Sequence, residues 1–477
     1  MIYLRLMNLR IVSLRCMMKF INRTKELKQL ETIKQSHQKE MVILYGRRRL
    51  GKTTLLRAFV RKYRSLFFSC PISTDKEALR LFQAEMSKTF DEPLLAQMQF
   101  QGWTEAISYA FEKSIQLDMP VIFDEFPYLM KSVPGIASII QHLWDNTQAP
   151  IKMIICGSLL SVMLEKVMGT QAPLYGRRTQ NMYFQPMPFN DIALFYDNTH
   201  FESLVNWYAM FGGVPAYAER ASAYETPEKS LMALVLNPDG ILYQEPEFLV
   251  RDELREPGAY FSILRSIADG NTRPNKIAQD SGIQHSGINK YLETLKRLNI
   301  IERRCPITEK APEKSTKSLY FLKDLFLKFW FRYVYQNRSI IELGQGHDLF
   351  QNKIKPDLNR FMGAIYEEIC HQEIQQNGTQ LLGWTPAKIG RYWDSKHELD
   401  LIAECANEKN VAFIECKWSK NVDTKRNLHK LKQKTNDIPY YKNWNKSLWI
   451  MSRTSCESSQ HIYLGNSLPP QISGAHS

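Results

Sequence analysis

Three short, mainly apolar runs stand out in the first part of the chain: Met41-Val42-Ile43-Leu44-Tyr45, Pro120-Val121-Ile122-Phe123 and Ile151-Lys152-Met153-Ile154-Ile155-Cys156, the last interrupted once by Lys152. None alternates with polar residues, so the pattern predicts strands covered on both faces, as in a parallel sheet flanked by helices. Helical spacing takes over directly after the first run, at Thr54-Leu55-Leu56-Arg57-Ala58-Phe59. Beyond Phe189 acidic and aromatic helical segments follow one another, broken at Gly212-Gly213-Val214-Pro215, and read as a helical lid. Two further helices are predicted at Tyr260–Ala268 and from Pro274, and a third from about Ser286. The third carries Ile288, Tyr291, Leu292, Leu295 and Leu298 at three- and four-residue spacing. A strand at Ile300–Pro306 completes a helix-turn-helix with a wing, and His285, Ser286, Asn289 and Lys290 would face outward from its third helix. Such modules dock on DNA or on protein, and helical spacing does not choose between them.

From Ser318 the chain becomes aromatic, with Tyr320, Phe321, Phe326, Phe329, Trp330, Phe331, Tyr333 and Tyr335 beside Lys323, Lys328 and Arg332. This spacing predicts a buried packing helix rather than a base-stacking surface. Later, Glu398–Ala403 and Val411–Trp418 flank a polar turn at Asn407–Asn410, the pattern of strand, turn and strand. Further on, Lys420, Lys425, Arg426, His429, Lys430, Lys432 and Lys434 make a basic helix that is either phosphate-facing or merely solvated. The residues from 456 onward, rich in Ser, Gln and Pro, predict a frayed tail.

Composition narrows the class. At 477 residues and 44% hydrophobic the chain can bury several cores, which excludes a disordered protein. Sixty-two Lys and Arg against 49 Asp and Glu leave a formal charge of +13, compatible with a polyanionic partner such as DNA. The eight cysteines show no paired spacing for a zinc site and read as reduced thiols. Met1–Met18 lacks the apolar core and cleavage site of a signal peptide, and translation is expected to start near Met17 or Met18. No stretch has the length of a membrane span, so the expected location is the cytoplasm, with no membrane partner.

The first apolar run leads into Gly46-Arg47-Arg48-Arg49-Leu50-Gly51-Lys52-Thr53-Thr54. Strand, glycine-bracketed loop and helix are the order a phosphate cradle requires: backbone N–H groups surround the phosphates, Lys52 supplies a point charge and Thr53 a hydroxyl for Mg²⁺. The second run ends in Asp124-Glu125, where Asp124 would hold the Mg²⁺ shell and Glu125 would polarise the attacking water of ATP. The third delivers Gly157-Ser158 to the same edge, where Ser158 would sense the γ-phosphate or merely end a strand. Arg177 and Arg178 follow a turn, and one of them would stabilise transition-state charge, in cis or from a neighbouring subunit of a homo-oligomer.

With Phe20-Ile21-Asn22-Arg23-Thr24-Lys25-Glu26-Leu27, Tyr45-Gly46-Arg47-Arg48-Arg49, Phe123-Asp124-Glu125, Cys156-Gly157-Ser158 and Phe211-Gly212-Gly213-Val214-Pro215, the chain resembles the archaeal-type prokaryotic ATPases, relatives of AAA+ and STAND NTPases. The resemblance implies that Arg23 and Glu26 lie near the adenine pocket; by spacing alone they read equally as a solvated first turn. Along the last strands Glu415 and Lys417 share one face, and with Asp400 on that face two carboxylates would hold a divalent cation beside Lys417. This Asp…Glu-x-Lys arrangement resembles the PD-(D/E)XK nucleases and the nuclease-like domain, of the DUF234 type, found behind this ATPase family. The same likeness assigns a further acidic ligand to the helix Phe361–Ile369, at Glu367 or Glu368.

The expected architecture is therefore α/β. It comprises a P-loop NTPase parallel sheet (18–190), a helical lid (191–257), a winged helix (258–310), an aromatic helical connector (311–360), a restriction-endonuclease-like α/β domain (361–455) and a tail (456–477). The expected activity is Mg²⁺-dependent ATP hydrolysis coupled to a DNA-directed nuclease-like module. The alternative is a nucleotide-dependent switch that binds DNA or a protein partner and cleaves nothing.

Overall fold

The structure, a computed structural model, describes residues 21–98, 100–197, 199–436, 438–454 and 460–467. The expected late start, Phe20, Cys16, Cys456 and residues 468–477 lie outside the described residues. The chain divides at Gln185 and Pro186 into two compact units.

In the first unit the apolar runs form β1 (Glu40–Tyr45), β3 (Val121–Asp124) and β4 (Lys152–Gly157), joined by β2 (Leu66–Ser69) and β5 (Gln180–Tyr183). All pairs are parallel, in the order β2-β3-β4-β1-β5. Every residue of β3 and β4 is buried, which explains why those runs carry no alternation. Two strands escape the apolar-run reading. β2 is only four residues long, and β5 is an edge strand with exposed or half-buried Gln180, Asn181 and Tyr183. The helices Asp75–Phe90, Trp103–Gln116 and Ile136–Asn146 pack Phe82, Ile107 and Ile140 with the strand residues Phe68 and Phe123 in one core.

The second unit opens with helices, among them Phe201–Phe211 and Pro227–Leu234, and continues with three helices at Pro257–Ala268, Pro274–Ser281 and His285–Arg297. The strand that follows, β6 (Ile301–Arg304), pairs antiparallel with β7 (Leu319–Leu322). Tyr320 and Phe321 thus belong to a strand and not to the predicted aromatic helix. The boundary expected at 310 falls inside this hairpin, because β7 gains its backbone partners from β6. Helical structure resumes at Leu325, and Phe326, Phe329, Trp330, Phe331 and Tyr333 are all buried. Trp330 is fully enclosed and donates its Nε1–H to the Tyr243 carbonyl at 2.7 Å. Trp330→Ala is expected to lower unfolding free energy by about 3–5 kcal/mol through cavity formation, read as a shifted denaturant midpoint at unchanged slope.

A long helix, Lys355–Leu382, precedes a second sheet of β8 (Lys388–Trp393), β9 (Glu398–Cys405), β10 (Asn410–Lys417), β11 (Asn445–Ser452) and β12 (His461–Tyr463), ordered β12-β11-β10-β9-β8. β8, β9 and β10 are antiparallel neighbours, whereas β11 and β12 add in parallel. β12 lies within the segment expected to fray. It is ordered because Ile450–Ser452 of β11 pair with it and Ile462 is buried. Among the described residues no helix is long and apolar enough to cross a membrane.

Candidate functional site

At the carboxyl edge of the first sheet the register brings the expected residues to one level. Tyr45 of β1 pairs with Gly157 of β4, and Phe123 of β3 pairs with Ile155. The loop after Tyr45, Glu125 after Asp124, and Ser158 after Gly157 therefore emerge side by side. The loop needs its glycines. Gly46 has φ +154°, and a Cβ there would stand 2.5 Å from the Phe184 carbonyl oxygen. Gly51 has φ +92° and caps the helix Lys52–Lys62, so the first-turn amides of Lys52, Thr53 and Thr54 open toward the loop. Leu50 and Arg47 are buried, while Arg48 and Arg49 are exposed and Arg48 reaches the Tyr128 hydroxyl.

Lys52 is buried, and its Nζ donates to the Gly46 and Arg47 carbonyls at 2.7 and 2.8 Å. Burial draws its ammonium below the usual lysine range, countered by Cys156, Glu125 and Asp124. The Thr53 hydroxyl donates to Asp124 Oδ2 at 2.8 Å, across the position where a hard cation on a phosphate chain would be shared. These oxygen donors fit Mg²⁺. Ser158 donates its hydroxyl to Glu125 Oε2 at 2.6 Å and its N–H to the same oxygen at 3.2 Å. Glu125 itself adopts a left-handed conformation, φ +54°, rare for a side-chain-bearing residue and held here by the start of the helix Phe126–Ser132.

Arg23 is buried. It pairs with Glu26 at 3.0 Å, donates to the Gln185 and Leu50 carbonyls at 2.8 and 3.4 Å, and stacks 4.6 Å over Phe184. It is thus no solvated helix turn. Its guanidinium braces the loop from behind. The role expected of Arg177 or Arg178 is to stabilise transition-state charge, in cis or from a neighbouring subunit. β5 runs parallel to β1 with Gln180 level with Val42, so the backbone of both arginines stands at the amino edge of the sheet, while the Arg178 charge still acts on the Tyr45 hydroxyl. Met41 to Gly46 spans roughly 16 Å at about 3.3 Å per residue. Arg177 pairs with Asp145 at 2.8 Å, and Arg178 donates to the Met168 carbonyl at 3.0 Å.

In the second sheet Asp400 and the Glu415–Lys417 pair come together across β9 and β10. Asp400 Oδ2 accepts the Cys416 N–H at 2.9 Å, and Lys417 Nζ lies 2.6 Å from Glu415 Oε1. Ile414 and Cys416 are buried on the opposite side, as alternation requires. Burial and the neighbouring Glu415 raise the Asp400 carboxyl above its usual range. Glu367, on the long helix, is pushed up to about 7 by burial, with Arg391 opposing and Asp400 and Glu398 reinforcing. Glu368 instead meets Arg304 at 2.8 Å, so Glu367 is the one of the two that shares a field with Asp400. Glu415 Oε2 is buried without a hydrogen bond. Among the described residues no group of three or more His, Cys, Asp and Glu side chains is gathered into a metal cage.

Three cations stand around this face, and nothing local in the sequence places them there. Arg391 of β8 contacts Glu367 at 2.9 Å and Glu398 at 3.3 Å. Lys434 lies 3.7 Å from Glu415 Oε2. Lys328 is held at about 8 by burial and by the nearby Arg304, with Glu367 opposing. Only strand pairing and helix packing bring these distant positions to the acidic face.

Residues 20–220 match the family described as an ATPase domain predominantly from Archaea, and residues 330–431 match DUF234, described as archaeal and bacterial proteins of unknown function. An uncharacterized protein of Methanocaldococcus jannaschii is 34% identical over 426 residues, 87% of this chain and 92% of that protein. Among solved structures, a Walker-type ATPase of Pyrococcus abyssi superposes with a TM-score of 0.50 at 20% identity, covering 65% of this chain and 96% of that one. That likeness shows the fold. Strand order, phosphate loop and full-length relative agree, and the chain belongs to the archaeal-type P-loop ATPases, as an ATPase whose C-terminal part is a DUF234 domain.

Proposed function

We propose that this ATPase works with Mg²⁺ and governs a nuclease-like, DNA-directed C-terminal module. Lys52, Gly51 and Thr54 would cradle the phosphates, with Gly46, Arg47, Arg48, Arg49 and Leu50 forming the loop. Thr53 and Asp124 would hold Mg²⁺, Glu125 would orient water, and Ser158 would tether Glu125. Arg23 and Glu26 would support the loop and the adenine side. An arginine acting on the γ-phosphate would come from a neighbouring copy, Arg177 and Arg178 being candidates there.

The observation that carries the nuclease reading is the convergence of Asp400, Glu415 and Lys417 on one face within the field of Glu367. Crowded carboxylates with a buried, unbonded Glu415 oxygen suit a divalent cation, which would supply Lewis-acid polarisation of a phosphodiester. Asp400 and Glu415 would hold it, Glu367 would join them only on leaving Arg391, and Lys417 would face the phosphate. The three helices with the β6–β7 hairpin would serve as the winged-helix docking element in a cytoplasmic protein.

A second reading has its own observation. Lys417 on Glu415 and Arg391 on Glu367 already neutralise this face, as a binding platform that cleaves nothing would require. One assay separates the two. Mg²⁺-dependent nicking of supercoiled plasmid by wild type, lost in Asp400→Ala, is expected from a nuclease; equal products from both proteins, or none from wild type, leave the platform.

A further inference from the structure

The helix Thr424–Asn436 packs on the second sheet through Thr424, Leu431 and Thr435, with Asn427, Leu428 and Lys434 half-buried beside them. Lys425, Arg426, His429, Lys430 and Lys432 are exposed, and the helix contains no acidic residue. Arg426, Lys430 and Lys434 follow one another at four-residue spacing and form a stripe along one face, a like-charge arrangement that disfavours an isolated helix. Elsewhere in the same unit several helical cations are matched four residues away by acids, as in exposed Lys229 with Glu225 and half-buried Arg265 with Asp269 and Arg338 with Glu342. Within this helix Arg426 and Lys430 have no acid at that spacing.

The stripe also has a direction. Its last member, Lys434, donates to the Glu398 carbonyl at 3.3 Å and lies 3.7 Å from Glu415 Oε2, on the other side of that carboxylate from Lys417. A chain of phosphates laid along Arg426 and Lys430 therefore arrives at Asp400, Glu415 and Lys417.

We infer that the helix Thr424–Asn436 is a nucleic-acid backbone guide, with Arg426 and Lys430 neutralising successive phosphates and Lys434 delivering the strand to the acidic face. The destination rests on the nuclease reading above, whereas the contact with nucleic acid does not. An acidic protein surface would also be attracted to these cations. Phosphodiester is preferred because the stripe ends beside the Glu-x-Lys pair, and the contacts are sequence-independent.

The test is fluorescence anisotropy of a labelled random-sequence DNA duplex with the full chain in EDTA, where cleavage cannot contribute, across a salt series. Arg426→Glu/Lys430→Glu should weaken binding by about tenfold or more and reduce the slope of log K against log salt by roughly 1.8, two phosphates' worth. The neutral pair Arg426→Gln/Lys430→Gln should show a smaller change of the same sign, and an unchanged thermal midpoint confirms that each variant is folded. Wild-type affinity and slope in both folded variants would overturn the guide and leave the nuclease reading intact. Failure of wild type to bind duplex would overturn it as well, as would variants that lose binding to labelled poly-glutamate but not to duplex. Helix-dependent binding with no Mg²⁺-dependent nicking would support the guide and remove the nuclease reading.

Discussion

Lys52→Ala is expected to bind MgATP roughly one to two orders of magnitude more weakly and to hydrolyse ATP at no more than background rate. In the protein as described, the buried ammonium is held between the Gly46 and Arg47 carbonyls, in the ring of loop atoms that would surround a phosphate chain. A charged hydrogen bond is worth about 1.5–3 kcal/mol, so losing its contribution to the phosphates costs roughly one to two orders of magnitude in affinity before any effect on turnover. The substitution also removes the donor from two carbonyls, so the unliganded protein should melt a few degrees lower. Nucleotide linkage separates the effects. A folded wild type gains RT ln(1 + [L]/Kd), about 2.7 kcal/mol at a hundredfold excess over Kd, whereas Lys52→Ala at the same nucleotide concentration should gain only about 0.4–1.4 kcal/mol. A shift equal to that of wild type would remove Lys52 from the phosphate site.

Glu125→Gln is expected to keep ATP bound and to lower turnover by about 10²–10⁴-fold, the usual contribution of a positioned base. The Ser158 hydroxyl and N–H both donate to Glu125 Oε2. Glutamine can keep these contacts through its amide oxygen, so the site should stay assembled and the loss should fall on kcat. The positive φ of Glu125 supports the same assignment: the backbone is held in a costly conformation at the point where its side chain turns toward Ser158. Ser158→Ala separates tether from base, with a smaller fall in kcat and little change in ATP affinity. Wild-type hydrolysis by Glu125→Gln, measured with saturating Mg²⁺ and ATP, would take Glu125 out of the reaction.

Both residues were legible in the sequence because their signals are local. An apolar run with no alternation, followed at once by Gly-x-x-x-x-Gly-Lys-Thr or by Asp-Glu, states the strand, its burial and the chemistry at its end within a dozen residues. Asp400, Glu415 and Lys417 were legible for a similar reason, since alternation along β10 fixes which side chains share a face once the hairpin turn is placed. The aromatic stretch was legible as packing, but Tyr320 and Phe321 misled: a short strand and a helix turn bury aromatics alike, and the partner strand β6 lies more than a dozen residues away.

Local pattern thus determined the phosphate loop, the acids at the ends of the strands and the α/β class, because strand length and side-chain alternation are properties of contiguous residues. Tertiary structure alone decided what those residues meet. It put the backbone of Arg177 and Arg178 at the far edge of the sheet through the parallel register of β5, and it set Glu367 in the field of Asp400 while Glu368 meets Arg304. It also drew Arg391 and Lys434 to the acidic face and added β12 to a segment that reads as a tail. In each case the deciding energy is a hydrogen bond, an ion pair or a burial shared between distant positions, and such pairing leaves no periodic trace in either partner's own sequence.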